Sequence, residues 1–290
     1  TRIGSSAASD VYKRQIIERG IEKEFFRTDA NGFISKKSHP VSLGSALKNK
    51  LITTDFSEAQ VELVTPIFEN VDDLYDFLYS LHVFVAQNID EDEMLWPYSM
   101  PPKIKDESDI NLGYYHQSGI GLLKHVYRKG LKIRYGATMQ CVSGMHYNFS
   151  LKQSSFKSLI DDFNQKNIDE LYLGLIRNFK RIYWFVLTEF GQTNVVDKSF
   201  VKNRDHNLNQ LNQKDMFLKD ATSLRMSEIG YQSKAQKNLD IKYNSLDGFL
   251  KEIKKAITSP YEEFEEKGLK DSNGEYHQIS KKFLIESYLH

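Results

Sequence analysis

The stretch RGIEKEFFR sets Glu22 and Glu24 two residues apart in a run with strand character. Alternate residues of a strand share a face, and at ~3.4 Å rise per residue their Cα atoms lie ~7 Å apart. Two carboxylates at that separation can each take one metal of a cluster or flank a shared ion. Two further segments carry groups of the same kind. Asp55 sits in a loop and Glu62 in the strand that follows it, while His146, Asn148 and Ser150 alternate with Met145, Tyr147 and Phe149 along a third strand. Carboxylates that converge without compensation repel and raise one another's pKa, and a divalent cation relieves this. Oxygen-rich ligands favour Mg²⁺, with Mn²⁺ as the alternative, over Zn²⁺. Mg²⁺ in turn usually arrives with phosphates. Taken singly, each segment has a plainer explanation: a wet edge strand for Glu-Lys-Glu, a turn or cap for Asp55, a satisfied strand histidine for His146. Periodicity alone does not make the three segments neighbours.

Basic groups supply the complementary half. Arg128, Lys129, Lys132 and Arg134 fall in one helical stretch, and Arg225 lies in ATSLRMSEIGYQSK. Arginines beside a carboxylate-lined cation site suit phosphoryl transfer, where positioning and charge neutralisation dominate. A solvated helix face explains the 128–134 cluster equally well. Tyr127 and Tyr231 read as core residues. The sequence contains no GxxxxGK[ST], GxGxxG, CxxC, HExxH or GxSxG, which disfavours P-loop, Rossmann and common hydrolase sites.

The elements that must position these groups are strands and helices in mixed order. IIERGIEKEFFRTDANGFISKK predicts strand, turn and strand, with Asp29 to Gly32 as the turn. LITTDFSEAQVELVTP predicts a loop leading into a strand that Pro66 ends. ENVDDLYDFLYSLHVFVAQNI has a helical apolar period, with Asn70 or Asp72 as N-cap. WPYSMPP is a proline-punctuated loop. IGLLKHVYRKGLKIRYG predicts a helix weakened by Gly130. VSGMHYNFSL alternates as a strand, and residues 155–190 read as helical. VKNRDHNLNQLNQKD reads as a polar loop, and NSLDGFLKEIKKAIT as an amphipathic helix opened by Asn244 or Ser245. The class is α+β: a few mostly antiparallel strands with helices packed on one side.

The totals set outer bounds. The 290 residues include 39 Lys+Arg and 39 Asp+Glu, so no overall field argues for nucleic acid or an anionic membrane. The single cysteine, Cys141, fits a reducing compartment, and the cytoplasm is the default location. No apolar run approaches the ~20 residues of a membrane span. Residues 1–15 (TRIGSSAASDVYKRQ) read as a disordered extension separate from the rest.

Five segments occur in the order and spacing of one family: RGIEKEFFR, LGSALKNKLITTDFSEAQVELVTP, WPYSMP, VYRKGLKIRYGATMQCVSGMHYNFS and SLRMSEIGYQSKAQ. From about Ile16 to about Leu284 the chain resembles the proteobacterial type of glutamate–cysteine ligase. The resemblance implies ATP- and Mg²⁺-dependent joining of the glutamate γ-carboxylate to the cysteine amine, the first step of glutathione synthesis. It also implies a fold similar to glutamine synthetase, a curved, mostly antiparallel sheet cradling a metal cluster with helices behind it. The implied metal ligands are Glu22, Glu24, Asp55, Glu62 and His146. Arg128 and Arg225 are implied to meet phosphate or the glutamate carboxylate, and Gln140 and Asn148 to lie near bound glutamate. Tyr127, Tyr231, Asp55 and Phe56 are implied to form the cysteine pocket. Cys141 is then a bystander, and Phe26, on the carboxylate face, would close the rim of the pocket.

Family chains continue for roughly two hundred residues more, another domain's worth. Residues 16–290 therefore read as an incomplete N-terminal portion of the catalytic domain, truncated at the C-terminus and inactive by itself. Two alternatives stay open: a truncated relative that binds Mg²⁺·nucleotide without turnover, and a carboxylate–amine ligase with another acceptor amine.

Overall fold

A computed structural model describes residues 16–282, apart from 118, 158, 160–163, 192, 203 and 231–240. The expected disordered extension at residues 1–15 lies outside the described residues.

Strand β1 (Ile17–Asp29) is the hub. Along one edge it pairs antiparallel with β3 (Gln60–Val64), which pairs in turn with the short β2 (Ile52–Thr54). Along its other edge it pairs first with β5 (Met145–Leu151) and then, nearer its C-terminal end, with β4 (Glu93–Trp96). The sheet is open, five-stranded and antiparallel throughout. A second, three-stranded sheet joins β6 (Val195–Asp197), β8 (Asp215–Phe217) and β7 (Asn209–Gln210).

Adjacent phenylalanines divide the core. Phe25 packs on one face of the sheet with Val61, Leu63, Leu81 and Val85. The last two come from helix α1 (Val71–Asn88), whose N-cap Asn70 accepts from the backbone N–H of Asp72 and Asp73. Phe26 faces the other way and packs with Phe56, Tyr127, Leu131 and Cys141. Tyr127 and Leu131 belong to helix α2 (Gly119–Tyr135). Helices therefore cover both faces of the sheet, where the sequence suggested one. The reason is local: successive strand residues alternate, so a Phe-Phe pair at a strand centre demands an apolar partner on each side. Phe26 is a fully buried core residue rather than a rim.

Helices α3 (Gln165–Phe190) and α4 (Leu246–Thr258) follow, the latter opened by Ser245, which accepts from the Gly248 N–H. The apolar side of α3 is largely uncovered among the described residues, with Phe179, Ile182, Trp184, Phe185 and Phe190 all exposed. No helix of the described residues is long and apolar enough to cross a membrane.

Three further expectations needed correction. The loop before Glu62 contains β2, which closes a tight hairpin onto β3. The strand expected after Gly32 is reduced to bridges of Ile34 with Thr28 and of Phe33 with Lys103, because on that edge of β1 the Ala59 carbonyl and β3 already take the backbone from Arg27 onward toward its N-terminus. The polar run 201–215 contains β7 and the start of β8.

Candidate active site

Register builds the site. Glu24 of β1 lies directly opposite Glu62 of β3, and Glu22 lies opposite His146 of β5. Directly opposed residues share a face, so Glu22, Glu24, Glu62 and His146 line one side of the sheet. That side is also the side of Phe26, next to the part α2 covers. Asn148, two residues beyond His146, donates to Glu22 Oε1 at 3.2 Å, and His146 Nδ1 lies 3.1 Å from Glu22 Oε2. Asp55 stands at the corner of the β2–β3 hairpin, its backbone N–H donating to the Gln60 carbonyl.

Glu24 is the innermost of these carboxylates, 8% exposed. Its Oε2 accepts from the Gly144 N–H at 2.8 Å, and Arg225 Nη1 stands 3.8 Å away. Arg225 also donates to the Val142 carbonyl. Gly144 lets Arg225 approach: a Cβ at that position would lie 2.7 Å from the guanidinium carbon and would push the arginine aside. Burial, followed by the charge of Asp55, holds the Glu24 pKa well above the usual carboxylate range, against the opposing pull of Arg225. Burial also raises Glu62, to about 7, with Asp55 and Glu22 adding to it and Arg128 and Lys124 opposing. The site is short of positive charge.

The other expected residues are placed as follows. Arg128 is buried and turned inward: Nε donates to the Asp55 carbonyl, Nη1 to Lys124 and Nη2 to Thr54. Its neighbours in the expected basic cluster point elsewhere, Lys129 toward Glu275 and Arg134 toward Gln278 and the Phe264 ring. The cluster is therefore not one patch, since a helix turns these positions about its axis. Tyr127 and Phe56 are core neighbours of Phe26. Gln140 is buried, with its side-chain nitrogen unpaired. Cys141 is fully buried and its thiol pKa is pushed far up by burial, which makes it inert as a nucleophile. Tyr231 lies outside the described residues.

Three site residues escaped sequence reasoning: Gly144, Lys124 and Tyr115. Lys124 and Arg128 both stand over the ring of the buried Tyr115, at 5.6 and 4.7 Å. Their i, i+4 spacing was the available signal.

The donor set fits a hard cation. It is carboxylate oxygen plus one imidazole, and in it Glu24 and Glu62 are raised first by burial and then by neighbouring carboxylates. Among the described residues, no three His, Cys, Asp or Glu side chains stand close enough together to hold an ion as they are.

A sequence model of the family described as glutamate-cysteine ligase matches residues 6–288. The chain belongs to the glutamate–cysteine ligase family. The glutamate–cysteine ligase of Hahella chejuensis is 41% identical over 283 residues, 96% of this chain and 53% of that protein. That of Bordetella bronchiseptica is 42% identical over 268 residues, 92% of this chain and 50% of that protein. Among solved structures, the Francisella tularensis glutamate–cysteine ligase in complex with AMP matches at a TM-score of 0.87 and 34% identity, covering 95% of this chain and 55% of that one. A bifunctional glutathione synthetase from Pasteurella multocida matches at a TM-score of 0.71 and 26% identity, over 86% of this chain and 31% of that one. The chain thus spans about half the length of the curated glutamate–cysteine ligases it matches.

Proposed function

We propose that this chain forms the carboxylate wall of a ligase site that joins glutamate to cysteine at the expense of ATP. The observation that carries the reading is the opposition of Glu24 to Glu62 and of Glu22 to His146 on one sheet face. The open antiparallel sheet is then part of a glutamine-synthetase-like cradle. Glu22, Glu24, Asp55, Glu62 and His146 would hold Mg²⁺ or Mn²⁺, which when bound neutralises the repulsion between the glutamate carboxylate and the triphosphate.

A carboxylate does not accept an amine at neutral pH without activation. A γ-carboxylate oxygen of glutamate attacks the γ-phosphorus of ATP, the bond to ADP breaks, and an acyl phosphate forms. The cysteine amine attacks its carbonyl carbon, the carbon–oxygen bond to phosphate breaks, and the amine proton is released. Arg225, held between Glu24 and the Val142 carbonyl, offers charge to the transferring group, while Arg128 holds the Thr54–Asp55 corner. Gln140 and Asn148 orient the glutamate. Asp55, Phe56, Tyr127 and Tyr231 are assigned to the cysteine pocket, Phe56 and Tyr127 as members of the buried cluster around Phe26. No covalent protein nucleophile is needed, and Cys141 takes no part. Binding holds the reactants in line and so supplies much of the rate. The lone cysteine supports a cytoplasmic location.

The test is ADP release from ATP by the full-length protein. It is expected to require glutamate, cysteine and Mg²⁺ together, with cysteine preferred in a panel of amino acids. The 290-residue chain alone is expected to release less than about a hundredth as much, since one missing charge-stabilising group alone costs ~10²–10³ in rate. Equal turnover by the chain alone overturns the expectation of an incomplete site. Preference for another amine overturns the cysteine assignment.

A further inference from the structure

We propose that Lys124 presents the free positive charge of α2 to an oxyanion of a bound substrate, while Arg128 positions the corner that carries Asp55. The inference rests on the ligase reading above and names a further substrate-contacting residue within it.

The hydrogen bonds separate the two cations. Arg128 spends Nε, Nη1 and Nη2 on three backbone carbonyls, those of Asp55, Lys124 and Thr54. Two of these carbonyls lie on the β2–β3 hairpin, so the guanidinium clamps that corner to α2. Tyr115, 1% exposed, adds to the clamp by donating from its hydroxyl to the Thr54 carbonyl at 2.9 Å. Arg128 is thereby fixed as a strut.

Lys124 lies one helical turn away on the same side of α2. It is half-buried, and among the described residues its ammonium has no hydrogen-bond or ion-pair partner; its one contact is the Tyr115 ring. Two like charges at i, i+4 on a helix repel unless an anion joins them. The ammonium already acts on the site electrostatically: burial and Arg128 pull its pKa down, Glu62 pulls it up, and it in turn lowers that of Glu62. A half-buried cation that makes no hydrogen bond or ion pair to the described residues keeps all three N–H donors for a ligand, and a phosphate or carboxylate oxygen takes them in charge-assisted bonds.

The experiment compares Lys124→Met, Lys124→Arg and Arg128→Lys in the full-length protein. Lys124→Met is expected to lower kcat/KM about 100-fold at an unchanged melting temperature, because no structural bond is lost. Lys124→Arg is expected to recover most of that loss. A fall confined to kcat/KM for ATP identifies a phosphate oxygen as the ligand group, and one confined to glutamate identifies its carboxylate; either supports the proposal. Arg128→Lys is expected to lower the melting temperature, since the Thr54 and Asp55 carbonyls lose donors. Unchanged kinetics in Lys124→Met overturn the assignment, as does a kinetic loss that tracks a fall in melting temperature. If the unsubstituted protein has no ligase activity, the ligase reading fails independently. Calorimetric binding of inorganic tripolyphosphate, expected to weaken about tenfold in Lys124→Met, then decides for or against Lys124 alone.

Discussion

Glu62→Gln is expected to raise the melting temperature of the cation-free protein at pH 7.5 and to abolish Mg²⁺-dependent ligation in the full-length protein. Both effects come from one cause. Glu62 titrates near 7 in the folded chain, against 4.5 for an ordinary glutamate, because it is buried and faces Asp55 and Glu22. A folded state with a raised pKa holds its proton more tightly than the unfolded chain. The associated stability is fully present below pH 4.5 and is lost as pH rises through 7. At 1.36 kcal/mol per unit, the loss reaches roughly 3 kcal/mol. His39, pushed down to about 4 by burial and by Arg27, contributes in the opposite sense, losing stability as pH falls below 6.5. Comparing wild type with Glu62→Gln cancels His39 and leaves Glu62 together with the part of the Glu24 shift that Glu62 causes. Melting temperatures between pH 5 and 8 should diverge as pH rises, the variant remaining higher. Millimolar Mg²⁺ should raise the wild type and leave the variant unmoved. Parallel profiles would return Glu62 to the role of an ordinary strand residue. Glu24→Gln should behave alike, since burial and Asp55 also raise Glu24.

Arg27→Met should destabilise the chain by about 3–5 kcal/mol, the range for breaking a buried ion pair on one side. Arg27 is fully buried on β1, its Nη1 2.7 Å from both oxygens of Glu93, which is on β4. Nη2 reaches the carbonyls of Lys37, Ser38 and Glu58 at 2.9–3.0 Å. The guanidinium therefore ties β4, the 37–38 segment and the β2–β3 hairpin to the central strand. Removing it strands the Glu93 charge and three carbonyls. The double variant Arg27→Met with Glu93→Leu should recover part of the loss, because the desolvated carboxylate is gone. Urea unfolding of the two single variants and the double variant measures the coupling. A double variant no better than Arg27→Met would assign the cost to the orphaned carbonyls instead.

Local signals were legible where they are self-contained. Asn70 and Ser245 cap their helices as their position before an apolar period suggests, and MHYNFSL forms the strand it reads as, although its exposure does not alternate. Strands β2 and β7 escaped because two or three residues are too few to show a period, and their pairing is set by a partner elsewhere. The i, i+2 placement of Glu22 and Glu24 was readable, but the opposition of Glu24 to Glu62 was not. It depends on a register between residues 38 positions apart. The inward turn of Arg128 was hidden for a similar reason: its acceptors are carbonyls, which no sequence letter encodes.

The β5 strand carries one more consequence. Every residue from Met145 to Phe149 is exposed, so burial of one face does not select its alignment on β1. A shift of one residue would exchange His146 and Asn148 for their apolar neighbours at little hydrophobic cost. What opposes the slip is polar: the bonds exchanged between Glu24 and Gly144, and the contacts of Glu22 with His146 and Asn148. The carboxylates assigned to chemistry are therefore also the alignment pins of the sheet. The strand edge that carries the site is aligned in large part because the site's own groups find each other, with the Arg19–Tyr147 bond and buried Leu151 adding to them.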